Sequence, residues 1–135
     1  MKKKEVVNGK LIIYLTPEKA LTGMTWIVAV TRKRIYRCDV HGNIYSCEKN
    51  GGERKKMTVV QEAKDRSNPS PRVIIEGKKK RVDVLIANAI FYPMKIDRND
   101  IGHRDEDKSN NAVTNLYIDI TPQKIREENK EQSKL

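Results

Sequence analysis

Apolar residues fall in short clusters along this chain, and most of the clusters alternate with polar positions. Lys10–Thr16 reads KLIIYLT and stops at Pro17, the pattern of a strand ended by a residue with no N–H to donate. A short helical turn is expected over residues 17–23. Met24–Val30, which contains the single tryptophan, Trp26, forms a second apolar run. Ile35–Val40 and Ile44–Cys47 flank His41-Gly42-Asn43, and a turn of that composition between two β-rich arms predicts a hairpin. His41 in that turn is assigned to solvent. Asn50-Gly51-Gly52 marks the next turn, residues 57–63 fit strand or helix, and the polar, proline-containing stretch Asp65–Pro71 is a loop. Arg72–Glu76 and Lys78–Val82 around Gly77 predict a second hairpin with a basic arm.

The period then changes. In Asp83–Phe91 (DVLIANAIF) the apolar positions suit a buried helix, with Asp83 at its N-cap or in its first turn, where a carboxylate is favoured, and Tyr92-Pro93 at its end. Residues 94–107 connect to a short helix expected over Asn110–Tyr117, capped by Asn110-Asn111 and burying Val113 and Leu116. Thr121-Pro122 opens a polar helical tail. These elements define an α+β chain divided as an N-terminal extension (1–23), a basic β-hairpin region (24–82), a compact unit (83–121) and a tail (122–135). No internal repeat is present. With 135 residues and 37% hydrophobic content, the chain suits one modest core rather than two.

Charge sharpens that picture. The formal net charge is +10, unevenly spread: residues 1–60 hold 13 basic and 5 acidic residues, 61–96 hold 8 and 4, 97–121 hold 3 and 6, and 122–135 hold 4 and 3. A basic body followed by an acidic segment is expected of a protein that holds a polyanion with one part and does something else with another. Arg32, Lys33, Arg34, Arg54, Lys55, Lys56, Lys78, Lys79, Lys80 and Arg81 lie in or beside the hairpins and are the expected nucleic-acid contacts. Salt-dependent phosphate contacts from such residues need no base sequence. The scattered tyrosines favour duplex backbone binding over a base-stacking platform. No run of eighteen apolar residues exists, and polar residues break the N-terminal apolar stretch as a secretion signal would not allow, so a cytoplasmic protein without a membrane segment is expected. Cys38 and Cys47 are too few for a disulfide scaffold or a four-ligand zinc site, and a reduced pair, able to meet across strands, is expected.

Three patches, in order, resemble the HNH (His-Me finger, ββα-metal) homing-type endonucleases of phages and mobile introns. Ile101–Leu116, IGHRDEDKSNNAVTNL, resembles the family signature in which Asp/Asn-His-x-Asp-Gly-Asn leads through a loop to Asn-Leu. Val82–Phe91 resembles its Val-His-Arg-Leu-Val-Ala helix, and Tyr36–Ser46 its N-terminal hairpin. The resemblance covers roughly residues 26–124. It implies hairpins followed by an HNH-like finger of strand, loop and short helix at 101–117, with His103 as general base and Asn115 orienting the site or assisting the metal. In that chemistry an imidazole takes a proton from water while Mg²⁺ or Mn²⁺ stabilises charge on the scissile phosphate.

This chain departs from the pattern where the metal would be held. Gly102 replaces the acid or amide before the base, Lys124 stands near a later ligand, Asp83 replaces the helix histidine, and Glu106-Asp107 replaces Gly-Asn. Asp100, Asp105 and Asp107 are the residual metal candidates, and no cofactor is expected unless the chain cleaves. The acidic run Asp105-Glu106-Asp107 lacks the glycine and terminal glutamate of an EF-hand loop. The implied function is duplex DNA binding with impaired cleavage. The alternatives are a metal-dependent nicking endonuclease, and a phage-type protein that binds and inhibits a host protein complex.

Overall fold

The computed structural model of the chain describes residues 2–16, 21, 23–60 and 70–120. Among these residues, ten strands and one α-helix form two four-stranded antiparallel sheets and a hairpin. The first sheet begins with β1 (Lys2–Val7) and β2 (Lys10–Leu15), turning at Asn8 and Gly9, which both take positive φ. An Asn-Gly pair at that position is the residue choice of a tight hairpin. In β2 the alternation buries Ile13 and Leu15 and leaves Ile12 and Tyr14 on the other face.

The second sheet runs in the order β3 (Trp26–Val30), β4 (Arg34–Cys38), β5 (Ile44–Glu48), β6 (Lys55–Lys56). The β4–β5 hairpin follows the sequence expectation. Its turn is organised by Asp39, which accepts from the backbone N–H of His41 at 3.0 Å and of Asn43 at 2.9 Å. Cys38 faces Ile44 and Cys47 faces Ile35, so the two thiols sit at opposite ends of the hairpin and the cross-strand contact does not form. The third unit is the hairpin β7 (Arg72–Ile75) and β8 (Lys78–Arg81), which leads directly into α1 (Val82–Ile90).

Helix α1 starts where the run of lysines ends. Asp83 stands in its first turn, its Oδ1 accepting from the Val84 N–H at 2.8 Å, and Val82, Ile86, Ala87 and Ile90 are buried. The helix packs on β3, β8, β9 and β10. Its buried side chains join Ile13, Leu15, Tyr36, Ile44, Val73, Val113, Leu116, Ile118 and Ile120 in one core. After α1, Asn88 fixes the returning chain, donating to Ile96 O at 3.0 Å and accepting from Ile96 N–H at 2.9 Å. A single 3-10 turn, Arg98–Asp100, follows and feeds β9 (Ile101–His103).

Beyond β9 the structure corrects the sequence reading. The short helix expected over Asn110–Tyr117 is absent; residues 113–115 turn, and Leu116–Ile120 is a strand, β10, paired with β9 on one side and β2 on the other. Leu116, Ile118 and Ile120 are buried while Tyr117 and Asp119 are not, a period of two that continues past the stretch read as helical. Asn110 and Asn111 therefore cap no helix, and 101–117 is strand, loop, strand. Residues 2–15 belong to this same sheet, with β2 between β1 and β10 in the order β1-β2-β10-β9. Most of the turn expected at 17–23, residues 61–63, the loop 65–69 and the tail from Thr121, including Lys124, lie outside the described residues. No described helix is long and apolar enough to cross a membrane.

Candidate functional site

His103 ends β9, the last strand of its sheet among the described residues, opposite Leu116 of β10. Its Nε2 lies 3.0 Å from Asn111 Oδ1. With Asn111 presenting its oxygen, the His103 Nε2–H is the donor. Asn111 is itself held from behind. Val113 N–H donates to Val40 O at 3.0 Å, and Gly42, at φ +85°, lies so close to the Asn111 carbonyl that a Cβ would collide with it. The β4–β5 turn thus fixes the residue that fixes the histidine.

A cavity of about 340 Å³ opens beside the imidazole, lined by Arg81, Arg98, Asn99, Ile101, His103 and Lys108. Three separate segments supply its cations. Arg81 arrives from the end of β8, Arg98 from the 3-10 turn that Asn88 positions, and Lys108 from the loop 104–115. Arg81 is paired bidentately with Asp83, at 3.1 Å from Nε to Oδ1 and 2.7 Å from NH2 to Oδ2. The Asp83 side chain is 1% exposed against 16% for Arg81, so the carboxylate sits behind and the guanidinium faces the opening. Among the described residues no carboxylate lines the cavity. The arrangement suits a tetrahedral oxyanion, because planar guanidinium forks and an ammonium match phosphate oxygens.

The residual metal candidates are engaged elsewhere. Asp105 accepts from Asn110 Nδ2 at 2.7 Å, Asn115 Nδ2 at 2.9 Å and the Asp107 backbone N–H at 2.9 Å. Those bonds, the Asn110 side chain first and the Asn115 side chain next, hold its carboxyl below the usual range. Asp107 accepts from the Ser109 backbone at 3.0 Å, and Asp100 accepts from the Asp97 N–H at 3.2 Å. Among the described residues no cluster of three or more His, Cys, Asp or Glu side chains is placed to hold a metal. Position 102 is closed as well. A Cβ on Gly102 would run into the ring of Tyr117, on the sheet face opposite the one from which His103 lines its cavity. The described donors do not fit a divalent cation beside the histidine.

Of the expected site residues, the structure brings Arg81 to His103. Asn115 sits apart from the cavity and braces the loop, donating to Asp105 and to Asn110 O at 2.8 Å and accepting from the Asp105 N–H at 3.1 Å. Arg34 is committed to its own sheet through Ser46 at 2.9 Å and Glu48 at 3.9 Å, and with Arg32 and Lys33 it lines a separate groove. Arg54, Lys55, Lys56 and Lys78 to Lys80 are exposed on strands or loops. Sequence reading missed Arg98, Asn99, Lys108 and Asn111. All four stand in the acidic segment, where net charge hid them; Arg98 and Lys108 line the cavity, while Asp105 and Asp107 bond within the loop and Arg104 and Asp119 line the opposite face of the sheet. No protein-family model, curated protein or solved structure matches the chain.

Proposed function

We propose that this chain binds the nucleic-acid backbone, duplex DNA first, through the β9–loop–β10 unit, which resembles an HNH finger in sequence, keeps its histidine and lacks its metal cradle, so that it holds a phosphodiester without hydrolysing it. One observation carries the reading: Arg81, Arg98 and Lys108 line a cavity with His103, and among the described residues no carboxylate joins that lining. Three further features support it. The three resembling patches meet in space, since the β4–β5 turn holds Asn111, α1 follows Arg81, and β9 carries the histidine. Lys79 and Arg81 alternate onto one face of β8, which extends positive charge toward the cavity. The described donors near His103 form no cluster suited to a divalent cation, and on this reading His103 positions and hydrogen-bonds rather than completing a reaction.

The test is duplex affinity across a salt series with the full chain. Binding falls as salt rises, with a log–log slope of about 0.9 per phosphate contacted, and Arg98→Ala or Lys108→Ala lowers that slope by about one each. Absence of binding at low salt removes the proposal. Plasmid incubated with Mg²⁺ or Mn²⁺ stays intact with wild type and with His103→Ala alike; nicking by the wild type that the variant loses replaces this reading with the nicking endonuclease.

A further inference from the structure

A second groove, of about 550 Å³, lies across the other face of the first sheet, on the far side of β9 from the histidine cavity. Tyr14 and Tyr117 form its floor as a direct cross-strand pair, with Ile12 beside them. Two contacts fix the rings. Tyr14 donates its hydroxyl to Glu5 at 2.7 Å, and Arg104 stacks over the Tyr14 ring, its guanidinium carbon 4.4 Å from the centroid. Tyr117 leans across Gly102, where any side chain would occupy the space of its ring. The glycine that removes a metal ligand therefore seats an aromatic ring.

The charge of this groove differs from that of the histidine cavity. Glu5 and Asp119 balance Lys10 and Arg104 in its lining, and Lys10 lies 3.6 Å from Asp119. A phosphate gains nothing from a rim with equal acid and base. A flat, uncharged group with hydrogen-bonding edges fits it: apolar and aromatic below, donors and acceptors around. His103 and Arg104 are consecutive, so the phosphate cavity and the aromatic groove are separated by the width of one edge strand.

We propose that the Tyr14–Tyr117 groove is a stacking platform for a nucleobase, taken from an unpaired nucleotide next to the phosphate bound at His103. The backbone then lies on one side of β9 and the base turns around the strand edge to the other. A purine or pyrimidine stacks on Tyr117 beside Arg104, and the rim carboxylates accept from its exocyclic amine. Paired bases in a duplex cannot reach the groove, so the platform distinguishes frayed, overhanging or single-stranded sites from intact duplex. This inference rests on the proposed phosphate binding, and its test separates the two.

The full chain is titrated with a blunt duplex and with the same duplex carrying a short overhang that contains 2-aminopurine. The overhang binds more tightly, and its fluorescence is quenched on binding. Tyr117→Leu weakens overhang binding roughly five- to a hundredfold, the range for one lost base–aromatic stack, and leaves blunt-duplex binding within about twofold. Tyr117→Phe behaves as wild type, whereas Gly102→Ala, which displaces the ring, behaves as Tyr117→Leu. Because Tyr117 and Tyr14 are only half-buried, circular dichroism melts of Tyr117→Leu and Tyr14→Leu confirm folded protein. Unchanged overhang affinity in both leucine variants, or unquenched emission with wild type, overturns the platform while the phosphate proposal stands on its own variants. Binding of neither DNA overturns both. A lysine-rich peptide that displaces the overhang and shifts the Tyr14 and Tyr117 resonances also overturns it, by making the groove a peptide site.

Discussion

Arg81 carries two duties at once, facing the cavity while neutralising Asp83, which is almost wholly buried at the start of α1. Removing the arginine strands a carboxylate in the interior, and breaking a buried pair in this way costs about 3–5 kcal/mol. Arg81→Ala is therefore expected to lower the urea midpoint far more than Asp83→Ala, which leaves a guanidinium able to turn outward. The double variant recovers part of the loss, and additive single losses would show that the pair is not coupled. The two thiols differ in the same way. Burial pushes the Cys38 thiol up to about 12, so it presents almost no thiolate near neutral pH. A thiol reagent at pH 8 labels Cys47 in the native protein, reaching Cys38 only in denaturant; equal rates would mean that the β4–β5 hairpin opens readily.

At the scale of elements, the turn between β4 and β5 carries a pH dependence. Burial alone would raise the Asp39 pKa, but hydrogen bonds from the Asn43 side chain and backbone, Tyr45 and the His41 backbone outweigh it, leaving the group below the usual carboxylate value. The sign follows from linkage: the unfolded chain binds the proton more readily, so this stabilisation is complete above about pH 4 and is lost as pH falls through the folded pKa. Asp39→Asn should flatten stability against pH in that acid window and leave the neutral slope unchanged. A wild-type slope in the variant would assign the effect to other carboxylates. This hairpin, the β7–β8 hairpin and α1 were legible because their apolar period, turn residues and helix start agree locally. Leu116–Ile120 was not, because Asn110 and Asn111 resemble helix caps in sequence while their amides, with that of Asn115, serve loop backbone, Asp105 and His103. The site was half legible for a related reason: His103 announces itself by pattern, but Arg98 and Lys108 become its neighbours only through the Asn88 clasp and the loop's internal bonds.

For the whole molecule, the central fact is that β2 pairs with β10 and so joins the start of the described chain to the strand beside the histidine. A variant lacking residues 1–16 leaves one edge of β10 unpaired and uncovers Ile118 and Ile120. It is expected to lose its cooperative thermal transition and the proposed DNA binding together, whereas a truncated chain that melts as sharply as the full one would make the N-terminal hairpin dispensable. The same pairing has a consequence in time. Tyr14 and Tyr117 lie roughly a hundred residues apart in the chain, and such distant contacts close slowly. On the ribosome the first hairpin emerges long before its partner strand and waits with an open edge, so the sheet closes only once Leu116–Ile120 has been made.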